Sequence, residues 1–375
     1  MKIALISGSH IPSRTANSMQ TMKMAEATAR IGHEVMLILP GEKPDAHWNE
    51  IASHYGVRLG FPIHWIKPIR ALRSYDFGVA AVRQARRWGA DVIYTRHPQA
   101  AAIAGWGAVP AIFEIHDLPS GNMGPRLMRA FAGGRSACKL VAITKALSQA
   151  LEAEYMLPKR EGFMCIAPDG VDLERYENLN APRKARQLLG LPEGFTAGYS
   201  GHLYAGRGIE LILQMAAALP ELNFLLIGGE EERVGEVRSQ AEQAGLGNLQ
   251  VLGFIPNQEL PRYHAACEAL LMPYQQRVAG SSGGDIARYL SPMKMFEYLA
   301  SGRAVLASDL PVLGEVLVDG ENALILPAGD TEAWIEAIRK VQTDPDYRVR
   351  LGEKGRETAE EHSWELRARK IFGDL

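Results

Sequence analysis

A chain of 375 residues with 47% hydrophobic and 22% charged side chains has the composition of a globular protein, with length for two separately cored domains. Its net charge of −2 hides an asymmetry. Residues 1 to 180 hold 21 Lys and Arg against 16 Asp and Glu, a balance of +5, and the remainder holds 20 against 27, a balance of −7. No nucleic-acid partner is expected from that balance, although a mildly basic first half can meet phosphates or anionic headgroups. Cys138, Cys165 and Cys267 are widely spaced without a CxxC, which argues against a disulfide framework or a zinc site and for a reducing cytoplasm. The opening "MKIALISGSH" is too brief an apolar run for a signal peptide. The longest uncharged stretch, "PQAAAIAGWGAVPAIF", contains Pro110 and falls short of the roughly 20 residues of a membrane helix.

Taken in chain order, "KIALIS" reads as a strand, "SMQTMKMAEATARIG" as a helix and "HEVMLIL" as a second strand. Further strands follow at "DVIYTR", "AIFEIHD", "CKLVAIT" and "FMCIAPDG". Strands alternating with helical patterns predict βαβ units and a buried parallel sheet. The pattern restarts after residue 180 with "FTAGYSG", "GIELILQMAAAL", "NFLLIGG", "VGEVRSQAEQAG", "LQVLGFI", "ALLMPY", "SPMKMFEYLASG", "AVLASD" and "ALILPA". Two doubly wound α/β domains are expected, 1–179 and 180–359, divided within the Pro- and Gly-bearing "YENLNAPRKARQLLGLPEG". Ligands of such sheets bind beyond the carboxyl ends of the strands, so a cleft between the domains is the expected site.

The polar segments after each strand are therefore the candidates. "SGSHIPSRTANSMQ" leads into a helix start near Asn17 or Ser18, whose N–H groups could receive a phosphate, and an ordinary strand-to-helix loop would read the same way. Gly8 is not followed by GxGxxG spacing, which argues against a dinucleotide site. "AIFEIHDLP" places Glu114, His116 and Asp117 at a strand end, where a His can donate to a sugar hydroxyl or serve the fold. Arg96 and His97 in "IYTRHPQ" read as structural. "YSGHLYAGRGIELIL" sets His202 and Arg207 on a glycine-flanked loop before a helix, a plausible diphosphate site or an ordinary turn. Phe254 and Ile255 follow a strand and could face a nucleobase or fill the core.

"YLSPMKMFEYLASGR" is the most telling stretch. Ser291 reads as a helix N-cap and Pro292 as the first helical position. Lys294 then falls in the first turn, where the helix dipole favours an anion, and Glu297 sits one turn on amid Met293, Met295 and Phe296. A phosphate docked at the helix start would account for Lys294, and a ribose diol for Glu297; a simple Lys–Glu pair would account for both as well. Asp344-Pro345-Asp346 has DxD spacing but reads as a helix end and a helix cap.

Together these residues resemble the retaining glycosyltransferases of family 4, of two-Rossmann-domain GT-B architecture. The resemblance runs from "RIGHEV" through "FEIHDLP", "VAITKAL", "PDGVDLERY" and "GHLYAGRG" to "SPMKMFEYLASGRAVLASDLPVLGEVLVDGENALILP" and "SWELRARKI". It implies that His202 and Arg207 clamp the donor diphosphate, that Glu297 binds the ribose, that His116 lies near the donor sugar, and that residues 360–375 cross back to the first domain. Tyr289 stands where the family carries the first Glu of a pair, and Asn17-Ser18 where it commonly has Gly-Gly. The implied donor site comprises Ser18, His202, Arg207, Phe254, Ile255, Tyr289, Ser291, Pro292, Met293, Lys294 and Glu297. The implied chemistry is retaining transfer from a UDP- or GDP-type sugar to a saccharide, lipid-linked or small-molecule acceptor, without metal or other cofactor. A sugar-nucleotide epimerase of the same architecture and a non-catalytic nucleotide-sugar-binding protein remain alternatives. Basic stretches such as "GPRLMRAFAGGRSACKL" suggest peripheral contact with the inner face of a membrane if the acceptor is lipid-linked. The oligomeric state is left open.

Overall fold

The computed structural model describes residues 1–72, 74–280 and 284–373. The chain forms two compact units, Met1–Asp169 with the segment from Trp364 onward, and Gly170–Ser363. In the first, β1 (Lys2–Ile6), β2 (Glu34–Pro40), β3 (Ile63–Ile66), β4 (Val92–Thr95), β5 (Ala111–Ile115), β6 (Ala137–Ala142) and β7 (Met164–Ile166) form a parallel sheet of order β3-β2-β1-β4-β5-β6-β7. In the second, β8 (Thr196–Ser200), β9 (Asn223–Ile227), β10 (Leu249–Gly253), β11 (Ala269–Met272), β12 (Ala304–Ser308) and β13 (Leu324–Leu326) form one of order β10-β9-β8-β11-β12-β13. Both are doubly wound. The strand order reverses between β1 and β4 and between β8 and β11, where a crevice opens at the carboxyl ends.

The strands read as near-continuous apolar runs because helices cover both faces of a parallel sheet. Ile3, Leu37 and Ile93 are buried in the first sheet, and Leu226, Leu271 and Leu306 in the second, whose core also encloses Trp334. Trp334 lies on the helix Thr331–Thr343 and donates Nε1–H to Pro327 O at 3.1 Å. Asp344 caps the next helix, Pro345–Glu360, by accepting from Tyr347 N at 2.9 Å, so the DxD spacing has a local structural cause.

The second unit begins at Gly170, ahead of the 180 boundary expected from Pro and Gly clustering. A short 3-10 turn, Leu173–Tyr176, already packs there: Arg175 donates to Asn257 Oδ1 at 2.6 Å, and the Tyr176 hydroxyl meets His264 Nδ1 at 3.3 Å. The final helix, Trp364–Phe372, lies with the first unit. Its Phe372 packs edge-on against Tyr94, and its Glu365 pairs with Arg30 at 3.1 Å.

Candidate active site

In the second unit the crevice residues come from β8, β11 and the helix Met293–Ala300. Tyr199 is the penultimate residue of β8 with its ring buried, and Tyr274 follows β11, also buried. Lys294 Nζ lies 3.7 Å from the centroid of the Tyr199 ring and 5.7 Å from that of Tyr274. Nζ is shut off from solvent and has no hydrogen-bond partner, although the rest of the residue keeps partial exposure. Gly201 makes room for it. Its φ of +137° suits glycine, and a Cβ there would stand 2.6 Å from Nζ.

Arg207 reaches the same crevice from the loop after β8. Its guanidinium lies 5.2 Å from the Tyr274 centroid, NH1 donates to the Tyr274 hydroxyl and NH2 to Ala279 O, both at 3.2 Å, and Nε is enclosed without a partner. Two basic side chains thus share one aromatic ring. Burial first, and Arg207 second, drive the Lys294 pKa well below its ordinary value, against the pull of Glu297. A second positive charge in such a place calls for an anion.

Glu297, one turn further along, accepts from Asn257 Nδ2 at 3.1 Å through Oε1, and Oε2 takes no hydrogen bond among the described residues. Asn257 is oriented in turn by Arg175, which donates to both its side-chain and its main-chain oxygens. Oε2 is therefore available to a hydroxyl. The helix itself begins one residue later than expected: Pro292, with extended backbone, is the N-cap, and no side chain caps the first turn. Ser291 is buried outside the helix, so the reading of Ser291 as N-cap and Pro292 as first helical residue is corrected. The physical consequence favours a ligand, since the first N–H groups of the helix lack a side-chain acceptor. Met293 opens the helix and Tyr289 lies in the preceding turn, both partly exposed.

His202 sits on the same loop as Arg207, its ring stacked on and nearly parallel to that of Tyr204 with centroids 4.6 Å apart, while its carbonyl accepts from the Tyr199 hydroxyl at 2.6 Å. Phe254 and Ile255 follow β10 and are partly exposed rather than core.

In the first unit the structure corrects Ser18. Its N–H bonds to Thr15 Oγ1 at 3.3 Å and its hydroxyl to Ser13 O and Thr15 O, both at 2.9 Å, within the cap of the helix Ala16–Arg30. Fully buried, it shapes the loop and has neither group to offer a donor. His97 proves structural: its Nδ1 caps the helix Pro98–Gly105 by accepting from Ala100 N.

Glu114 and His116 share one face of β5 and its extension, as the period of two dictates. Glu114 is fully enclosed and receives four donors. Oε1 accepts from His116 Nε2 and from Gln20 Nε2, each at 2.6 Å; Oε2 accepts from Arg367 NH2 at 2.8 Å and from the Tyr94 hydroxyl. Burial pushes the Glu114 pKa up, but Arg367, the His116 bond and Arg96 together outweigh it and hold the carboxyl well below its ordinary range. Burial, then Arg96, lowers the His116 imidazole to about 4 although Glu114 opposes them. A neutral ring that donates through Nε2 keeps Nδ1 as an acceptor. The expectation that His116 donates to a sugar hydroxyl is revised accordingly. Reasoning from sequence missed Tyr199, Tyr274, Asn257 and the Glu114–Arg367 pair. None of these carried a local signal, unlike the Glu114-x-His116 spacing, which the sequence did offer.

Two doubly wound parallel domains in one chain are the architecture of the GT-B class. Residues 183–358 match the model described as Glycosyl transferases group 1, and residues 18–175 that described as Glycosyltransferase Family 4. The chain belongs to these family 4 glycosyltransferases. It is 25% identical over 245 residues to D-inositol 3-phosphate glycosyltransferase of Corynebacterium urealyticum, covering 62% of this chain and 55% of that one. It is 23% identical over 368 residues to phosphatidyl-myo-inositol mannosyltransferase of Mycolicibacterium smegmatis, covering 94% and 87%. In fold it is similar to Anabaena HepE in complex with UDP, with a TM-score of 0.76 and 18% identity over 100% and 99% of the two chains.

Proposed function

We propose that this glycosyltransferase takes a hexosyl group from a UDP- or GDP-type nucleotide sugar and transfers it, with retention, to a saccharide or lipid-linked acceptor in the cytoplasm. The observation that carries the reading is the enclosed, unpartnered Lys294 Nζ beside Arg207. The two cations and the uncapped helix start would stabilise the charge that gathers on the departing diphosphate. Because they supply the positive charge that a metal ion provides elsewhere, we propose that no metal is required. Glu297 Oε2 takes the ribose, Phe254 and Ile255 face the base, and His116 attends the sugar.

An acceptor bound to a membrane is supported by the first unit's surface. Ile69, Leu72, Tyr75 and Val79 are exposed beside Arg83, Arg86 and Arg87, although no described helix is long and apolar enough to cross a membrane. The test is a thermal-shift series with UDP, GDP, ADP and their sugars, followed by product analysis with and without candidate acceptors. Stabilisation by none of these nucleotides would refute the reading. An isomerised sugar nucleotide formed without acceptor would replace it with epimerisation. Sedimentation with liposomes of anionic and neutral lipid tests the membrane contact.

A further inference from the structure

We propose that Arg367, on the C-terminal helix Trp364–Phe372, acts through Glu114 as a positioning residue for His116, holding the imidazole neutral, with Nε2 protonated and Nδ1 left as an acceptor. The inference rests on the reading that His116 attends the donor sugar, and gives that role a direction: the ring receives a hydroxyl hydrogen.

The geometry is a relay of three side chains. His116 Nε2 donates to Glu114 Oε1 at 2.6 Å, and Arg367 NH2 donates to Glu114 Oε2 at 2.8 Å. Glu114 and Arg367 expose 0% and 3% of their side chains. A lone carboxylate beside an imidazole draws a proton onto the ring. Here the carboxylate is already balanced by a guanidinium on its other oxygen, and burial and Arg96 oppose protonation of the imidazole, so Glu114 orients the ring without charging it. Two more donors, Gln20 Nε2 and the Tyr94 hydroxyl, fill the remaining lone pairs and fix the plane of the carboxylate.

Arg367 is itself over-determined. Nε donates to Pro168 O at 2.8 Å and NH2 to Ala167 O at 3.1 Å, the residues just before the chain leaves the first unit. One guanidinium therefore ties the returning helix, the departing strand and the carboxylate that orients His116. A helix 253 residues beyond Glu114 becomes part of the catalytic apparatus.

The charged and titratable groups around the ring are Glu114 on its own strand, Tyr94 and Arg96 from β4 and its end, Asp169 beyond β7, and Arg367. Asp169 is pushed up to about 7 by burial, so a limb in a kinetic pH profile could belong to it. The ring itself must be observed. Long-range proton–nitrogen NMR of the wild-type imidazoles, assigned with a His116→Gln variant, should show His116 as the Nε2–H tautomer with no titration above pH ~5.

Arg367→Met should raise its titration midpoint toward the ordinary ~6.5, with burial and Arg96 still opposing protonation. Transfer should then acquire an acidic limb in kcat, and Arg367→Lys should restore the wild-type behaviour. An Nδ1–H tautomer in the wild type, a wild-type midpoint near 6.5, or a folded Arg367→Met protein with an unmoved His116 midpoint would each overturn the proposal. If Arg367→Met does not fold, the wild-type spectrum and Arg367→Lys decide. Unchanged transfer by His116→Gln would instead refute the role of His116, a result separable from the tautomer measurement.

Discussion

Replacing Lys294 with Met should make the ligand-free protein more stable and the enzyme worse. Lys294 Nζ is enclosed with no hydrogen-bond partner, and its neighbours Tyr199, Tyr274 and Arg207 offer it no carboxylate. A buried polar group left unsatisfied costs about 1–3 kcal/mol, and Met fills the same space without that cost. The melting temperature should therefore rise by a few degrees, at about 2–4 °C per kcal/mol for a unit of this size. The pH dependence has a definite sign. The folded pKa of Lys294 is lowered, so below the ordinary ~10.4 the unfolded chain binds a proton that the folded state has lost. Wild-type stability should then increase with pH from the folded-state pKa up to ~10.4, a slope that Lys294→Met removes.

Binding reverses the logic, because a diphosphate gives the amine an acceptor and a charge that favour protonation. Above the lowered folded-state pKa of Lys294, UDP binding should take up a proton and its affinity should fall as pH rises. Losing one charge-assisted hydrogen bond, at about 1.5–3 kcal/mol, should weaken UDP by roughly 10- to 150-fold in the variant. Titration calorimetry in two buffers of different protonation enthalpy measures the proton directly, and scanning calorimetry the stability. Tight UDP binding with no buffer dependence, together with an unshifted melting temperature for Lys294→Met, would refute the reasoning.

Glu297→Ala should weaken UDP by ~10- to 100-fold through loss of the ribose contact while leaving inorganic pyrophosphate unaffected. An equal loss for both ligands would show that Glu297 does not read the ribose. Asn257→Ala should reproduce part of that loss, since Asn257 orients Oε1. Gly201→Ala puts a Cβ 2.6 Å from Lys294 Nζ on a backbone of φ +137°, so UDP affinity should drop at least ~10-fold by displacement of the amine. Native affinity in that variant would exclude the cradle. Trp334→Ala should cost about 3–5 kcal/mol in denaturant unfolding because the side chain is wholly buried in the second core. A loss under ~1 kcal/mol would mean that the core closes over the gap.

Much of this molecule is set by local pattern. Alternating apolar strands and amphipathic helices already specify two parallel sheets, and Asp344 caps its helix through a contact three residues away. The helix carrying Lys294 and Glu297 could be placed to within one residue, because its periodicity is short-range. The cap could not, since Ser291 was drawn into a buried position outside the helix, and Ser18 was likewise consumed by its own loop. Contacts set by strand order had no local trace. Tyr274 comes under Lys294 because β11 is adjacent to β8 across the reversal of the sheet, and Asn257 reaches Glu297 from 40 residues away. The Glu114–Arg367 pair spans 253 residues. Sequence determined which elements form and which residues stand at their ends, because those choices depend on neighbours along the chain. Only the tertiary structure decided which charges are left without partners, because burial and pairing depend on what the folded sheet brings alongside.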